Sequence, residues 1–515
     1  MKPETTHGPA EFERRDPCNG GRPLDCAKRR LPTLAAFVIA VASTVLLTLA
    51  GCANPRGIAS QAVPLAPAQV GLADAASAPV IAADWWTALG DPALSAWVER
   101  ALADNPSLKA SQARVERAGA NVAAARAAEG PQVNGTLDVT RQRYSANGPY
   151  PPPLAGSIQN SGTLQAAGSW DLDLFGRNRA ALDASIGAER AADADRQAAR
   201  VLLSSNVART YLQLARLFEQ RAVATRSLEQ RNEFLKLIDQ RVRAGIDTSV
   251  ELRQGEGAPP ETRQQIEALD EQIALARHAL AALTVQPPSA LDALAPRLSA
   301  MRSVAVPDAL PADLLGRRAD ISAARWRVEA ATRDVAAARA QFYPNINLSA
   351  FIGLSSIGLD RLLRSASEQY GVGPAIRLPI FDAGRLRANL RGRAADLDVA
   401  IETYNGAVLD AVHEVADQLG SLQSIARQRR EQGLAQTAAE SAHDLSTQRY
   451  RAGLGTYLTV LTVEATVLNQ RRLGADLDAR VLDTQIALIR ALGGGYAADV
   501  PRADVALART AQTVR

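Results

Sequence analysis

Residues 345–353 read NINLSAFIG. Ile346, Leu348, Ala350 and Ile352 fall on one side of an extended chain, and Asn345, Asn347 and Ser349 on the other, because successive side chains of a strand point to opposite faces. The same period-two pattern occurs in GSWDLDLF, where Trp170, Leu172 and Leu174 alternate with Ser169, Asp171 and Asp173. GVGPAIRLPIF places Val372, Ile376, Leu378 and Ile380 on one side, and GTLDVTRQRY is a fourth, weaker case. The four stretches, about 132–145, 162–175, 345–355 and 370–381, come as two pairs. Each is near the roughly ten residues that a tilted strand needs to cross a bilayer. A soluble sandwich with one buried face would alternate in the same way. Four strands, inserted as two hairpins between helices, are few for a sandwich.

The surroundings of these hairpins are helical, and they occur twice. QARVERAGANVAAARAAEGPQVN (112–134) aligns with RWRVEAATRDVAAARAQFYPNIN (325–347). WDLDLFGRNRAAL (170–182) matches RLPIFDAGRLRANL (377–390), and QRVRAGIDTSVEL (240–252) matches QRYRAGLGTYLTV (448–460). The order is the same in both halves at an offset close to 208, as between Gly245 and Gly453. A unit of roughly 200 residues is far too long for a solenoid repeat, whose periods run from about 20 to 50. Two similar wedges about a pseudo-symmetry axis fit better.

Within each unit the periodicity is that of a coiled coil. Leu203, Val207, Tyr211, Leu214 and Phe218 recur at spacings of four and three, as do Val408, Val412, Val415, Leu419 and Leu422. Each run ends in Arg-Ala-Gly, at Gly245 and Gly453, where glycine can take the left-handed conformation that stops a helix. Second helical runs follow at about 248–285 and 456–492. A helix from 177 to 244 would be roughly 100 Å long at 1.5 Å per residue. Few globular domains need such a rod, whereas spanning a periplasm does. Pro259-Pro260 falls inside the second run and is expected to kink it, since proline removes backbone hydrogen bonds.

Four strands cannot close a barrel, and open edges are not tolerated in hydrocarbon. Copies of the chain must therefore pool their strands. Three copies supply twelve, an even number that a closed pore can use. A symmetric trimer repeats one heterologous contact that closes on itself.

The N-terminal region carries its own signal. Lys28, Arg29 and Arg30 precede an uncharged run, Leu34 to Ala50, in the form of a secretory leader. The basic region is long for such a leader, and a start downstream of Met1 would suit it better. The run is slightly short of the roughly 20 apolar residues that span a bilayer. Leu49-Ala50-Gly51-Cys52 resembles the bacterial lipobox. That resemblance implies cleavage after Gly51, a diacylglycerol on the Cys52 thiol and an acyl chain on the new amino terminus. Ala53, in place of an aspartate, implies the outer membrane. Cys18 and Cys26 lie in the part removed, so no disulfide chemistry remains.

Composition supports long helices: 47% of the 515 residues are hydrophobic but only 4% are aromatic. The formal charge is +4, of which the leader carries seven basic and five acidic residues, leaving +2 on the mature chain. No electrostatic footprint for nucleic acid follows from that.

DWWTALGDPALSAWVERALADNPSLKA, WDLDLFGR, LPADLLGRRADI, LPIFDAGR, RYRAGLGTYLTVL and ALGGGY together resemble the TolC-like outer-membrane efflux factors, in their lipoprotein branch that serves resistance-nodulation-division pumps. The likeness runs from about Asp84 to Tyr496. It implies a mostly α homotrimer, with a 12-stranded outer-membrane β-barrel, four strands per chain. A long α-helical periplasmic barrel would continue it, with a mixed equatorial domain. On that plan the chain divides into a signal peptide (1–51), a lipid-anchored segment (52–90), a first repeat (91–286), an equatorial linker (287–316), a second repeat (317–492) and a tail (493–515). The resemblance further implies a periplasmic adaptor and an inner-membrane pump as partners, besides membrane lipid. The turns at Gly245 and Gly453 would dock the adaptor. Some members of the family close the periplasmic end with a ring of aspartates. Here that place falls on Thr462, and the matching apolar constriction falls on Leu458, one helical turn earlier and so on the same face. A carboxylate gate is therefore not expected, and an apolar plug at Leu458 is. Ala319 stands where the family usually has proline.

The alternation would direct Asp171 and Asp173 into the lumen, opposite Trp170 and Leu172. Arg177 and Arg385 mark the passage from strand to helix. SANGPYPPPLAGSIQNS and SSIGLDRLLRSASEQ join the paired strands and would emerge at the cell surface. His7, His278, His413 and His443 have no partner at metal-ligand spacing, and there is no G-x-S-x-G or phosphate loop. No enzymatic activity and no cofactor beyond the acyl groups on Cys52 are expected. The reading is a passive exit duct for drugs or toxic organic compounds. A coiled-coil lipoprotein without a pore and a duct for secreted protein are the alternatives.

Overall fold

A computed structural model describes residues 55–72, 81–304 and 314–496; Cys52 and the leader lie outside the described residues. Helices α1 (Pro92–Asp104) and α2 (Pro106–Ala127) lead into strands β1 (Gln132–Arg143) and β2 (Ile158–Asp171). Helix α3 (Arg177–Arg243) turns back as α4 (Ser249–Leu283). The second half repeats the order: α5 (Ala319–Ala340), β3 (Asn345–Ile357), β4 (Glu368–Arg377), α6 (Arg385–Arg451) and α7 (Tyr457–Ala491). The duplication is metrically close, since α3 and α6 both have 67 residues and α4 and α7 both have 35.

The strands form one antiparallel sheet in the order β1-β2-β3-β4, so the two hairpins are joined through β2 and β3. Cross-strand partners share a face, and the register therefore sorts the side chains. Leu137 pairs with Leu164, which pairs with Leu354. Ala166 pairs with Ile352 and then Tyr370, and Trp170 with Leu348 and then Pro374. One face is thus apolar across all four strands. The other carries Asn134, Thr136, Asp138, Thr163, Gln165, Ser349, Ser355 and Gln369. Glu368 stands opposite Leu354, so the uncharged apolar face runs from Ile346 to Ile352, about 20 Å along the strand at 3.3 Å per residue. No charged residue interrupts it there.

Three boundaries differ from the expected ones by four residues each, the start of β2 and the ends of β2 and β4. β2 begins at Ile158 and stops at Asp171, not at 175, and β4 stops at Arg377, not at 381. The alternation in the sequence continues past both ends, but the backbone does not. Asp173 and Ala383 take positive φ, 46° and 53°, and turn the chain out of the sheet.

Packing changes along the long helices. Ala180, Ala184, Gly187, Ala191 and Ala194 form a buried small-residue stripe on α3 near the sheet. Its heptad spacing lets α5 approach until a Cβ at Gly187 would stand 3.1 Å from Ala330 Cβ. Farther along, α3 contributes Leu203, Val207, Tyr211 and Leu212 to the main core with Trp85, Trp86, Leu94, Leu280, Leu291, Leu298 and Ile486. Leu291, Leu298 and Met301 of the Pro-rich linker thus belong to this core. Proline does not break α4, which runs unbroken through Pro259 and Pro260. The Arg231 guanidinium of α3 donates to Ala258 O at 3.1 Å beside them, while the carbonyls that the two prolines leave without amide partners are those of Gly255 and Glu256, one turn earlier.

The N-terminal segment is tied along α6. Asp398 accepts from Ser60 Oγ (2.6 Å) and from the amides of Gln61 (2.8 Å) and Ala62 (3.0 Å). Asn405 accepts from Leu65 N and donates to Val63 O. Ile58 packs against Phe342, Leu386 and Leu390, beside the end of the sheet.

Candidate functional site

The far end of the molecule consists of the two helical turns, 244–248 and 452–456. Each helix closes with the same glycine motif. Gly245 and Gly453 have φ of 71° and 76°. Ile246 N donates to Arg241 O and Gly245 N to Val242 O, and Leu454 N and Gly453 N repeat this on Arg449 O and Tyr450 O. These are Schellman caps, in which the left-handed residue lets two orphan carbonyls be satisfied. Thr248 and Thr456 then cap the returning helices.

Side chains tie the two turns together. Arg241 holds Asp247 through Nε (2.9 Å) and Nη2 (3.2 Å), and Tyr450 of the other repeat donates its hydroxyl to Asp247 Oδ2 at 2.5 Å. The Arg241 guanidinium lies 4.5 Å over the Tyr450 ring. Arg241 and Asp247 side chains are only 11% and 10% exposed, so their charges interact with little screening. The Arg241 hydrogen bond, then that of Tyr450, hold the Asp247 carboxyl below its ordinary value of 3.8. Burial, then Asp247, push the Tyr450 phenol well above its ordinary value. The phenol therefore stays a donor at any physiological pH. A second tie lies deeper. Arg231 reaches Glu464 of α7 and Glu261 of α4, both at 3.2 Å, and Thr262 Oγ1 at 3.0 Å. Between the ties, Ile238, Tyr450, Tyr457 and Val460 form a small core against Phe234 and Leu252. Burial, then Glu464, push Tyr457 up to about 12.

Leu458 points away from this core and is 60% exposed, with Ile246, Val250 and Leu454 exposed nearby. Thr462 is exposed one turn on, and its hydroxyl donates to Leu458 O at 2.9 Å. Glu464 faces the opposite way, buried against Arg231. The tip thus presents exposed apolar side chains around Leu458, while Asp247 and Glu464 are used in internal ion pairs and Glu251 is used with Thr248 in capping α4.

At the other end of α3, the expected pair of aspartates separates. Asp171 is the last residue of β2 and lies on the polar face, paired in register with Asn347. Its carboxylate binds Arg177 at 2.6 Å and Asn345 Nδ2 at 3.0 Å. Asp173 has left the strand. It accepts from the amides of Asn178 (3.0 Å) and Arg179 (2.9 Å), at the N-terminus of α3 where the helix dipole favours a carboxylate. Asp382 does the same for α6 through Leu386 N. The caps are these aspartates, and Arg177 neutralises Asp171.

Sequence reasoning missed Asp247, Tyr450 and Arg231. A signal for the first two was present in the duplication. At the 208-residue offset Asp247 aligns with Gly455, and Tyr450 with Val242. The tie is made at positions where the repeats differ, because a bond between two similar turns needs a donor in one and an acceptor in the other.

Among the described residues no group of three or more His, Cys, Asp or Glu could hold a metal ion. No helix of the described residues is long and apolar enough to cross a membrane.

The profile of outer membrane efflux proteins matches residues 97–285 and 310–494. The chain is 33% identical over 476 residues to the putative multidrug resistance outer membrane protein MdtQ of Escherichia coli K12, spanning 90% of this chain and 98% of that protein. It is 40% identical over 370 residues to the fusaric acid resistance protein FusA of Burkholderia cepacia, spanning 70% of this chain and 68% of that one. The fold is similar to that of the outer membrane protein VceC of Vibrio cholerae, with a TM-score of 0.76 and 35% identity, covering 80% of this chain and 99% of that chain.

Proposed function

The chain belongs to the outer membrane efflux protein family, and from that premise we propose that it is the passive exit duct of a tripartite efflux system. The observation that carries this reading is the sheet, with one apolar face, one polar face and two unpaired edges, β1 and β4. In an antiparallel four-strand order β1 and β4 run in opposite directions. The β4 edge of one copy can therefore pair with the β1 edge of the next, and three copies close twelve strands with no edge left in hydrocarbon. The polar face then lines the lumen, and the long helices continue it through the periplasm. The cargo would be drugs or toxic organic compounds, consistent with the resistances for which the relatives are named. The protein itself makes and breaks no bonds; pore width, lining and gating select what passes.

The lipid anchor fits the same arrangement. Ile58 is pinned beside the end of the sheet, and six extended residues reach about 21 Å. An acylated Cys52 can then lie in the inner leaflet next to the barrel. The apolar tip around Leu458, with Thr462 behind it, serves as the periplasmic gate. The turns at Gly245 and Gly453 receive the adaptor, which links the duct to an inner-membrane pump of the resistance-nodulation-division class.

The test is single-channel recording of the purified lipoprotein in planar bilayers, with its mass measured in detergent. A mass of three chains and discrete conductance steps are expected; a lone chain that leaves the bilayer silent would overturn the reading. Leu458→Ser is expected to raise the closed-state conductance, and an unchanged trace removes Leu458 from the gate.

The Asp247 tie predicts a further, separate effect. A hydrogen bond to a charged group contributes about 1.5–3 kcal/mol. Tyr450→Phe should thus shift the closed–open balance about tenfold or more toward open at neutral pH. The pH dependence follows from the depressed carboxyl. Its contribution is complete above the ordinary value of 3.8 and is lost as pH falls through the lower folded value. Closed-state conductance is expected to be flat from pH 7 to that point and to rise only in stronger acid. A rise near pH 6 would exclude Asp247 as the titrating group.

A further inference from the structure

The ten residues between β3 and β4 (358–367) fold back onto the apolar face of the sheet. Gly162 establishes the direction. It pairs with Val139 on one side and Ser356 on the other, so a side chain there would point to the apolar face. A Cβ built at Gly162 would stand 2.9 Å from Leu359 Cδ2 and 3.0 Å from Leu362 Cδ2. Two leucines of the loop thus occupy the place of the missing side chain. Leu362 is buried by this contact, while Leu363 beside it is 80% exposed.

Arginines gather at the same level. Arg361 and Arg364 belong to the loop, and Arg141 and Arg143 end β1 on the apolar-face side, in step with Leu137 and Val139. Arg141 pairs with Asn160, whose carbonyl accepts from Gly358 N at 2.7 Å. The two sets therefore share one row of the sheet, about 10 Å apart across two strand spacings. The carboxylates facing this row are Asp360, 3.7 Å from Arg361, and Glu368, which pairs with Leu354. Among the described residues Arg141, Arg143 and Arg364 make no ion pair. Four cations against two anions leave a positive rim immediately outside an uncharged apolar band.

That is the level at which hydrocarbon gives way to headgroups. Arginine there can keep its stem in the apolar layer and its guanidinium in the polar one, and its planar fork matches a phosphate. We propose that the 358–367 loop and the outer end of β1 form a docking surface for the phosphate-bearing headgroups of outer-leaflet lipids. Leu359 and Leu363 enter the acyl layer, and Arg141, Arg143, Arg361 and Arg364 hold phosphates. Continuity with the membrane-facing side of the sheet and the excess of cations assign the surface to lipid.

The test uses the full lipidated protein in a neutral maltoside. Native mass spectrometry would count retained diphosphoryl lipid A against phosphatidylcholine, with inorganic phosphate as competitor. The wild type is expected to prefer lipid A. R361Q/R364Q and, separately, R141Q/R143Q should each lower its retention about tenfold, with trimer mass and conductance unchanged. Leu363→Ser should shorten retention without altering the phosphate preference. R253Q, at the periplasmic tip, should change nothing. Equal retention by wild type and both arginine pairs would overturn the proposal, as would displacement of lipid A by equimolar inorganic phosphate. A conducting trimer that holds no lipid A overturns this inference alone and leaves the duct intact.

Discussion

Gly493→Ala is expected to stop the protein from accumulating in the outer membrane. The glycines at 493–495 end α7 and thread between three distant segments. Gly493 N donates to Arg490 O and Gly494 N to Ile489 O, a Schellman cap that needs a left-handed residue. All three have positive φ, 104°, 55° and 81°. A Cβ at Gly493 would fall 1.9 Å from Arg317 O, one at Gly494 2.3 Å from Val201 Cγ1, and one at Gly495 2.3 Å from Ala82 O. The conformational strain alone costs about 1–3 kcal/mol per position. The overlap with Arg317 O is with backbone, which cannot swing aside as the end of a side chain could. Because the turn joins the start of the second repeat, the middle of α3 and the N-terminal segment, moving it disturbs the belt in every copy. The comparison is Gly433→Ala, at a position on α6 with nothing within 4 Å of the added carbon. It should be neutral or slightly stabilising, since alanine is favoured over glycine in a helix by up to about 1 kcal/mol. Immunoblots of outer-membrane fractions, unheated to preserve trimers, read both. Full trimer from Gly493→Ala would refute the account of the turn.

A pair of adjacent substitutions on β4 should give opposite results. Val372 pairs with Ala350 on the apolar face, midway between Trp170 and Tyr370 in register, and Gly373 pairs with Ser349 on the polar face. Arginine on the lipid side near the midplane costs about 2–4 kcal/mol per chain. In a trimer that is roughly 6–12 kcal/mol, comparable with the whole stability of a domain. Val372→Arg is therefore expected to abolish assembly. Gly373→Arg places the same charge one residue away, where nothing lies within 4 Å and φ is not positive. It should assemble normally and shift ion selectivity toward anions, read as a reversal potential under a salt gradient. Equal tolerance of both would mean that the sheet does not separate lipid from water.

Much of this architecture was legible in the residues. Alternation in NINLSAFIG and GSWDLDLF, spacings of three and four around Leu203 and Val408, and glycines at 245 and 453 are local signals. Each is set by chain geometry within a few residues, and the duplication states each of them twice. The same local signals misplaced the strand ends. Leu172, Leu174, Leu378 and Ile380 continue the alternation, yet Asp173 and Asp382 are drawn into capping α3 and α6. The first amides of a helix have no partner within it, and the two carboxylates satisfy them.

By itself, then, the sequence determined which segments become strands and rods, where the rods turn, and that four membrane strands per chain require several chains. Tertiary structure decided the rest. It brought Tyr450 to Asp247 across 203 residues and Arg231 to Glu464 across 233, placed Arg231 beside the two prolines of an unbroken α4, and folded the outer loop over Gly162. These are encounters between groups far apart in the chain. Their energies depend on burial and approach distance, which local periodicity does not encode.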